Sequence, residues 1–302
     1  MGVEESRPTV DSVRAVTSYR AIATDLDGTL LRTDKSVSAR TRAAVLGAEA
    51  AGMLVVIATG RPPRWIAPVV EELGDRGLVV CANGAAIYDP ARHELVARTE
   101  LAPDAARSIV DDVQAEYPDA VLGIEQGFDF AVDDVITRRD LELAGSWNLD
   151  GLQVGPIRSF LDDPVLKLIV RLPHPVPEGT ADHLQALVGE RALVTHSTSE
   201  SFLELSHPAV HKAATVERLL VESDISAEHV VAFGDMPNDL ELIRWAGLGV
   251  AVANADERLK EAADEITASN DDDGVALVIE RLLGPDHHAS RAGRGDPRSG
   301  AE

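Results

Sequence analysis

Cysteine is almost absent. Cys81 stands alone in 302 residues, so no intramolecular disulfide can form and a reducing cytoplasmic compartment is the expectation. A lone cysteine of this kind reads as a small buried hydrophobe rather than a nucleophile. Positive charge is also scarce. The 28 Lys and Arg residues face 51 Asp and Glu, for a formal net charge of −23. That balance argues against a nucleic-acid backbone as the main partner and disfavours an anionic membrane surface. No run of about 18 apolar residues is present, which excludes a membrane-spanning helix. The first twenty residues lack the apolar stretch of a secretory leader. Internal repeats and low-complexity blocks are missing as well.

What is present is a globular profile, with 45% apolar and 26% charged residues. Apolar runs recur between helical patterns. YRAIATDLDGTLL reads as a strand entering a Gly turn, and SVSARTRAAVLGAEAAGM as a helix ending near Gly52. LVVIATG, LVVCANGA, VVAFGD and GLGVAVAN read as strands buried on both faces, as in a parallel sheet. Helices are expected at about 63–73 and in DLELIRWAG, ADERLKEAAD and DGVALVIERLL. This alternation predicts a doubly wound α/β sheet, whose ligands lie at the carboxyl ends of its strands. The middle differs, because FDFAV and SFLELS alternate between apolar and polar, which predicts sheets solvated on one face. The expected organisation is therefore an α/β core of 19–84 and 207–284 and an α+β insertion of 85–206. Polar tails fill 1–18 and 285–302.

Asp25, Thr59, Asn83 and Asp235 each follow an apolar strand segment directly, which makes a shared site the natural reading. Asp25 and Asp27, in TDLDGTL, pair two carboxylates at one strand end. One can attack phosphorus while the other addresses the leaving oxygen, provided a divalent cation offsets the repulsion between carboxylate and phosphate. In FGDMPNDLEL, Asp235, Asn238 and Asp239 supply further oxygens after a strand. A helix cap explains one of them, whereas a hard-cation site explains all three. Thr59 and Gly60, in VVIATGRP, place a hydroxyl and backbone amides beside a helix start, a suitable phosphate cradle. Arg61 reads equally as a source of charge there or as a surface or salt-bridged arginine. Lys212 opens an amphipathic helix, where the helix dipole disfavours a cation; this weakly favours a binding role, while taken alone the residue reads as surface.

At these segments the chain resembles the haloacid dehalogenase (HAD) superfamily, most closely its Cof-type phosphatases. DLDGT matches the first motif, Thr59 in ATGR the second, Lys212 the third, and GDMPND the GDxxND form of the fourth. CANGA and GVAVANADERLKEAADEITASNDDDGVA also look Cof-like. Asp25 and Thr59 lie 34 positions apart, and Thr59 and Lys212 lie 153 apart. The cap must then follow the second motif, the C2 arrangement, and GDxxND favours its C2B form.

The resemblance implies a Rossmann-like HAD core and a Mg²⁺-dependent phosphatase acting through an aspartyl-phosphate on small phosphorylated metabolites, sugar phosphates foremost. It implies Asp25 as nucleophile and Asp27 as acid/base. Metal ligation would fall to Asp25, the Asp27 backbone carbonyl and Asp235, with Asp239 in support. Thr59, Gly60 and Lys212 would bind phosphate, and Asn238 would contact phosphate or orient Lys212. A phosphotransferase or phosphomutase, and a non-catalytic sugar-phosphate sensor, are the alternative readings. His211 and Ala213 depart from the Ser or Asn and the Gly that commonly flank the family's lysine.

Overall fold

The computed structural model describes residues 18–74, 77–136, 151–173, 176–195 and 202–284. Apart from Ser18, the expected tails lie outside the described residues. The chain begins with β1 (Ala21–Thr24), α1 (Ala39–Ala50), β2 (Leu54–Ala58), α2 (Ala67–Leu73), β3 (Val79–Cys81), β4 (Ala86–Asp89) and β5 (Glu94–Arg98). Then come α3 (Pro103–Glu116), β6 (Val121–Gln126), β7 (Asp129–Asp133), β8 (Gln153–Gly155), β9 (Lys167–Arg171), α4 (Thr180–Val188), β10 (Leu193–Thr195) and β11 (Phe202–Ser206). It closes with α5 (Lys212–Val221), β12 (Val230–Gly234), α6 (Leu240–Trp245), β13 (Leu248–Ala251), α7 (Glu257–Ala262), β14 (Glu265–Ile266) and α8 (Gly274–Leu283).

Two sheets organise these elements. The first has the order β14-β13-β12-β1-β2-β3-β4-β5. It is parallel from β14 to β3, and β4 and β5 extend it antiparallel. Every residue of β1 and β12 is buried, which is why both read as unbroken apolar runs. Helix α1 turns Thr41, Ala44, Val45 and Ala48 inward at helical spacing, and the Ser38 hydroxyl caps it by accepting the Thr41 amide. It packs against α8, while α5, α6 and α7 pack in sequence as a second group. The expected 63–73 helix is two pieces, a 3₁₀ turn at Pro63–Trp65 followed by α2. Pro68 accounts for the break. It has no amide proton, and its ring would meet the carbonyl four residues back in a continuous helix.

The second sheet, β10-β11-β9-β6-β7-β8, is antiparallel except between β7 and β8. Leu122, Ile124, Leu168, Val170, Leu203 and Leu205 share one face and bury against α3 and α4. The other face carries Glu125, Phe130, Val132, Lys167, Ile169 and Glu204, as the two-residue period requires. β4 and β5 join the first sheet, which therefore continues through Arg98, past the residue-85 boundary read from the sequence. Composition changes near residue 85 because the sheet turns antiparallel there, before the second sheet begins.

The two sheets meet through a buried ion pair. Arg64, just after β2, donates from Nη1 and Nη2 to the two Glu125 carboxylate oxygens at 2.9 and 3.1 Å. Its guanidinium also lies over the rings of Trp65 and Phe130.

Candidate active site

The strand register places four loops side by side. Thr24 of β1 is level with Phe233 of β12 and Ile57 of β2, and Ala58 of β2 with Val80 of β3. The residues just beyond these strand ends, Asp235, Asp25, Thr59 and Asn83, follow the sheet order β12-β1-β2-β3. The site therefore forms at the carboxyl edge of the parallel strands.

Asp25 is buried, and its Oδ1 accepts a hydrogen bond from Lys212 Nζ at 2.6 Å. The same ammonium donates to Asp239 Oδ1 at 2.6 Å. The backbone amides of Asp235 and Met236 donate to the other Asp239 oxygen, Oδ2, at 3.1 and 3.2 Å. Asp239 thus ties the start of helix α5 to the loop after β12. Asp235 Oδ1 accepts from Thr29 Oγ1 at 2.9 Å. Gly28 is the residue this packing demands, with φ of +82° and a position where a Cβ would lie 2.2 Å from Asp235 Oδ2.

Asp25, Asp235 and Asp239 each offer a carboxylate oxygen within 4.8 Å of the others. Only one ammonium, Lys212, contacts this cluster among the described residues. Burial pushes the Asp25 carboxyl well above its usual range; Asp239 and Asp235 add to that push, and the Lys212 ammonium opposes it. Burial, reinforced by Asp239, likewise pushes Asp235 up to about 7, against Thr29 and Lys212. Burial works to lower the Lys212 value, but Asp239 and Asp25 outweigh it and hold the ammonium protonated. Three buried carboxylates against one ammonium make an electrostatically unbalanced cluster. A hard divalent cation with oxygen ligands is the group that balances it, so the donor set fits such an ion.

Asp27 is held differently. Arg61 donates to it from Nε at 2.6 Å and Nη2 at 2.8 Å, and Lys35 Nζ lies 3.0 Å from its Oδ1. Burial would raise this carboxyl, but the hydrogen bonds and charges of Arg61 and Lys35 prevail and hold it below the usual carboxylate range. Thr59 is buried, and its Oγ1 accepts the Arg61 amide at 3.1 Å. The Gly60 carbonyl accepts a hydrogen bond from Lys167 on β9 at 3.0 Å. Asn238 Nδ2 donates to Asn83 Oδ1 at 3.0 Å. His211 pairs with Glu241 through Nδ1 at 2.6 Å, and Ala213 is buried.

Sequence reasoning left Thr29, Lys35, Lys167 and Glu204 without a role, and gave Arg61 two equal readings. Thr29 was within reach, because it completes DLDGT. Lys167 and Glu204 come from the second sheet, and no sequence spacing ties them to the strand-edge loops.

A family model described as haloacid dehalogenase-like hydrolase matches residues 22–279. The chain belongs to this family. This hydrolase is 31% identical over 265 residues to the phosphoglycolate phosphatase of Methanothermobacter thermautotrophicus, covering 88% of the chain and 99% of that protein. It is 28% identical over 269 residues to the 5-amino-6-(5-phospho-D-ribitylamino)uracil phosphatase YitU of Bacillus subtilis, covering 87% and 97%. A solved haloacid dehalogenase-like hydrolase of Bacteroides thetaiotaomicron superposes with a TM-score of 0.72 at 29% identity, covering 87% and 99%. The fold is also that of a subclass IIB sugar phosphatase, with a TM-score of 0.76 at 20% identity over 87% of this chain and 98% of that one. The HAD-like α/β core and cap expected from the motifs are borne out. Among the described residues, no helix is long and apolar enough to cross a membrane.

Proposed function

We propose that this hydrolase is a Mg²⁺-dependent phosphatase that cleaves small phosphorylated metabolites, sugar phosphates foremost, through an aspartyl-phosphate on Asp25. The observation that carries the reading is the buried Asp25 carboxylate, contacted by the Lys212 ammonium and clustered with Asp235 and Asp239. A nucleophile, a phosphate-binding cation and a hard-cation donor set stand together at one strand edge.

Asp25 Oδ attacks phosphorus as the bond from phosphorus to the leaving oxygen breaks. Lys212, with the Thr59 hydroxyl and the Gly60 amide, holds the phosphoryl oxygens. Asp25 and Asp235, with the Asp27 backbone carbonyl, would hold Mg²⁺, which neutralises charge on the phosphoryl group. Asp239 supports this set by fixing Lys212 and the loop after β12. Asp27 gives a proton to the leaving alcohol and later takes one from the water that opens the acyl phosphate. Arg61 and Lys35 hold Asp27 ionised in the present arrangement, the form suited to the second step. The first step needs that pairing loosened, and an arriving phosphate, itself an anion, competes for Arg61.

Phosphate release from a panel of phosphorylated metabolites, with Mg²⁺ and with EDTA, tests the reading. The panel should include phosphoglycolate and 5-amino-6-(5-phospho-D-ribitylamino)uracil. Turnover is expected only with the metal, and an Asp25→Asn protein should lose it. Full turnover by Asp25→Asn would refute the catalytic assignment.

A further inference from the structure

A polar bridge joins the second sheet to the catalytic edge of the first. Lys167, on β9, is buried, yet its Nζ donates to the Gly60 carbonyl at 3.0 Å and to Glu204 Oε1 at 2.9 Å. Glu204, on β11, accepts from Asn83 Nδ2 through its other oxygen at 2.8 Å. Asn83 Oδ1 in turn accepts from Asn238 Nδ2 at 3.0 Å. Gly60 and Asn238 belong to the loops after β2 and β12, two strands that flank β1 and its Asp25.

We propose that Asn83 and Glu204 form a positioning pair that locks the second sheet onto the phosphate site and sets Asn238 and the Gly60 loop in their working geometry. This inference rests on the phosphatase reading of the site. Three observations support it. Asn83 has φ of +58°, and the preceding Ala82 has +50°, a left-handed stretch of non-glycine residues that needs surrounding support. That support is visible, because the Asn83 amide bonds the Thr59 carbonyl, the Ala82 amide bonds the Arg61 carbonyl, and Thr215 Oγ1 bonds the Gly84 carbonyl. At Gly84, with φ of +107°, a Cβ would lie 2.6 Å from the His211 carbonyl oxygen, so this turn presses against the residue before Lys212.

Hydrogen-bond polarity gives the bridge its direction. A carboxylate only accepts, so Glu204 obliges Asn83 to present its NH₂ and to turn its oxygen toward Asn238. Asn238 must then donate, which leaves its own Oδ1 as a buried acceptor without a protein partner among the described residues. The orientation of an amide at the catalytic edge is thus set by a carboxylate on the other sheet. When the second sheet moves away, Gly60 and Asn83 each lose a partner at once.

The same polarity dictates the test. Asn83→Asp keeps shape and tolerates the left-handed backbone, but it sets two carboxylates face to face. Glu204→Gln sets NH₂ against NH₂, at Asn83 in one orientation or against the Lys167 ammonium in the other. The double variant N83D/E204Q restores the three hydrogen bonds of the bridge while moving the negative charge from β11 to the turn after β3. The amide introduced on β11 donates to the carboxylate introduced after β3 and accepts from Lys167, while that carboxylate still accepts from Asn238.

Two measurements are needed: kcat/KM for p-nitrophenyl phosphate with Mg²⁺, and Tm without substrate. Each single change should lower kcat/KM by about tenfold or more, and the double variant should return to within about threefold of wild type. Losses that multiply in the double variant would overturn the proposal. So would a Tm that recovers while kcat/KM does not, since the pair would then be structural only. A wild type inert toward p-nitrophenyl phosphate and toward the metabolite panel would sink the phosphatase reading instead. The substrate-free unfolding cycle would still decide whether the bridge exists.

Discussion

Replacing Lys212 with Met removes the ammonium from the buried carboxylate cluster while keeping side-chain bulk. Its Nζ lies 2.6 Å from both Asp25 and Asp239, and the three side chains are 1%, 8% and 0% exposed. Breaking a buried ion pair from one side costs about 3–5 kcal/mol, because the partner charge is left uncompensated. That cost depends on pH. A carboxyl escapes it by binding a proton, and burial already raises Asp25 and brings Asp235 to about 7. A carboxyl whose folded value is raised keeps its stability contribution at low pH and loses it as pH climbs through the raised value. The metal-free variant should therefore fall furthest behind wild type at pH 8 and recover much of the gap at pH 5.5. At about 2–4 °C per kcal/mol for a chain of this size, the pH 8 gap is about 6–20 °C. Thermal unfolding in EDTA, followed by circular dichroism at both pH values, reads it directly. Turnover with Mg²⁺ should drop about a hundredfold or more, as expected when a donor to the transferring group is lost. A variant as stable as wild type at pH 8, or one that lags more at pH 5.5, would refute the electrostatic account.

Three further outcomes follow from the same geometry. Mg²⁺ should raise the wild-type Tm more at pH 8 than at pH 5.5, because Asp235 must shed its proton to bind the ion; equal shifts would remove Asp235 from the ligand set. Arg61→Ala should raise the Asp27 value by removing its bidentate partner, and so move the alkaline limb of the kcat–pH profile upward; an unmoved limb would argue against Asp27 as the acid. Gly28→Ala should cost about 1–2 kcal/mol from the left-handed backbone alone. It should cost more in activity than in stability, because the new methyl displaces Asp235, so wild-type kcat in a folded Gly28→Ala protein would contradict that packing.

Much of the candidate site was legible in the sequence because its residues follow strands that announce themselves. The segments AIA, VVIA and VVAF, which lead into these residues, are apolar at every position, and a strand buried on both faces has to read that way. The carboxyl-edge rule then places Asp25, Thr59 and Asp235 together without knowledge of the strand order. Asn83 was legible as a strand-end residue but not as a bridge, and Asp239 as an oxygen donor but not as the partner of Lys212. Both roles depend on contacts across the chain, such as the Asn83–Glu204 bond over 121 positions and the Lys167–Gly60 bond over 107.

Local chemistry alone determined the alternating strands and helices, the turn at Gly28 and the acids at the strand ends. Those features depend on side-chain period, backbone sterics and residue type, all of which are properties of short segments. Only the tertiary structure decided that β4 and β5 continue the first sheet, that Arg61 claims Asp27, and that the second sheet reaches Gly60 and Asn83. Such pairings are chosen by burial. A charged group leaves water only where a partner of opposite sign or matching polarity waits, and the folded chain alone specifies which distant partner that is.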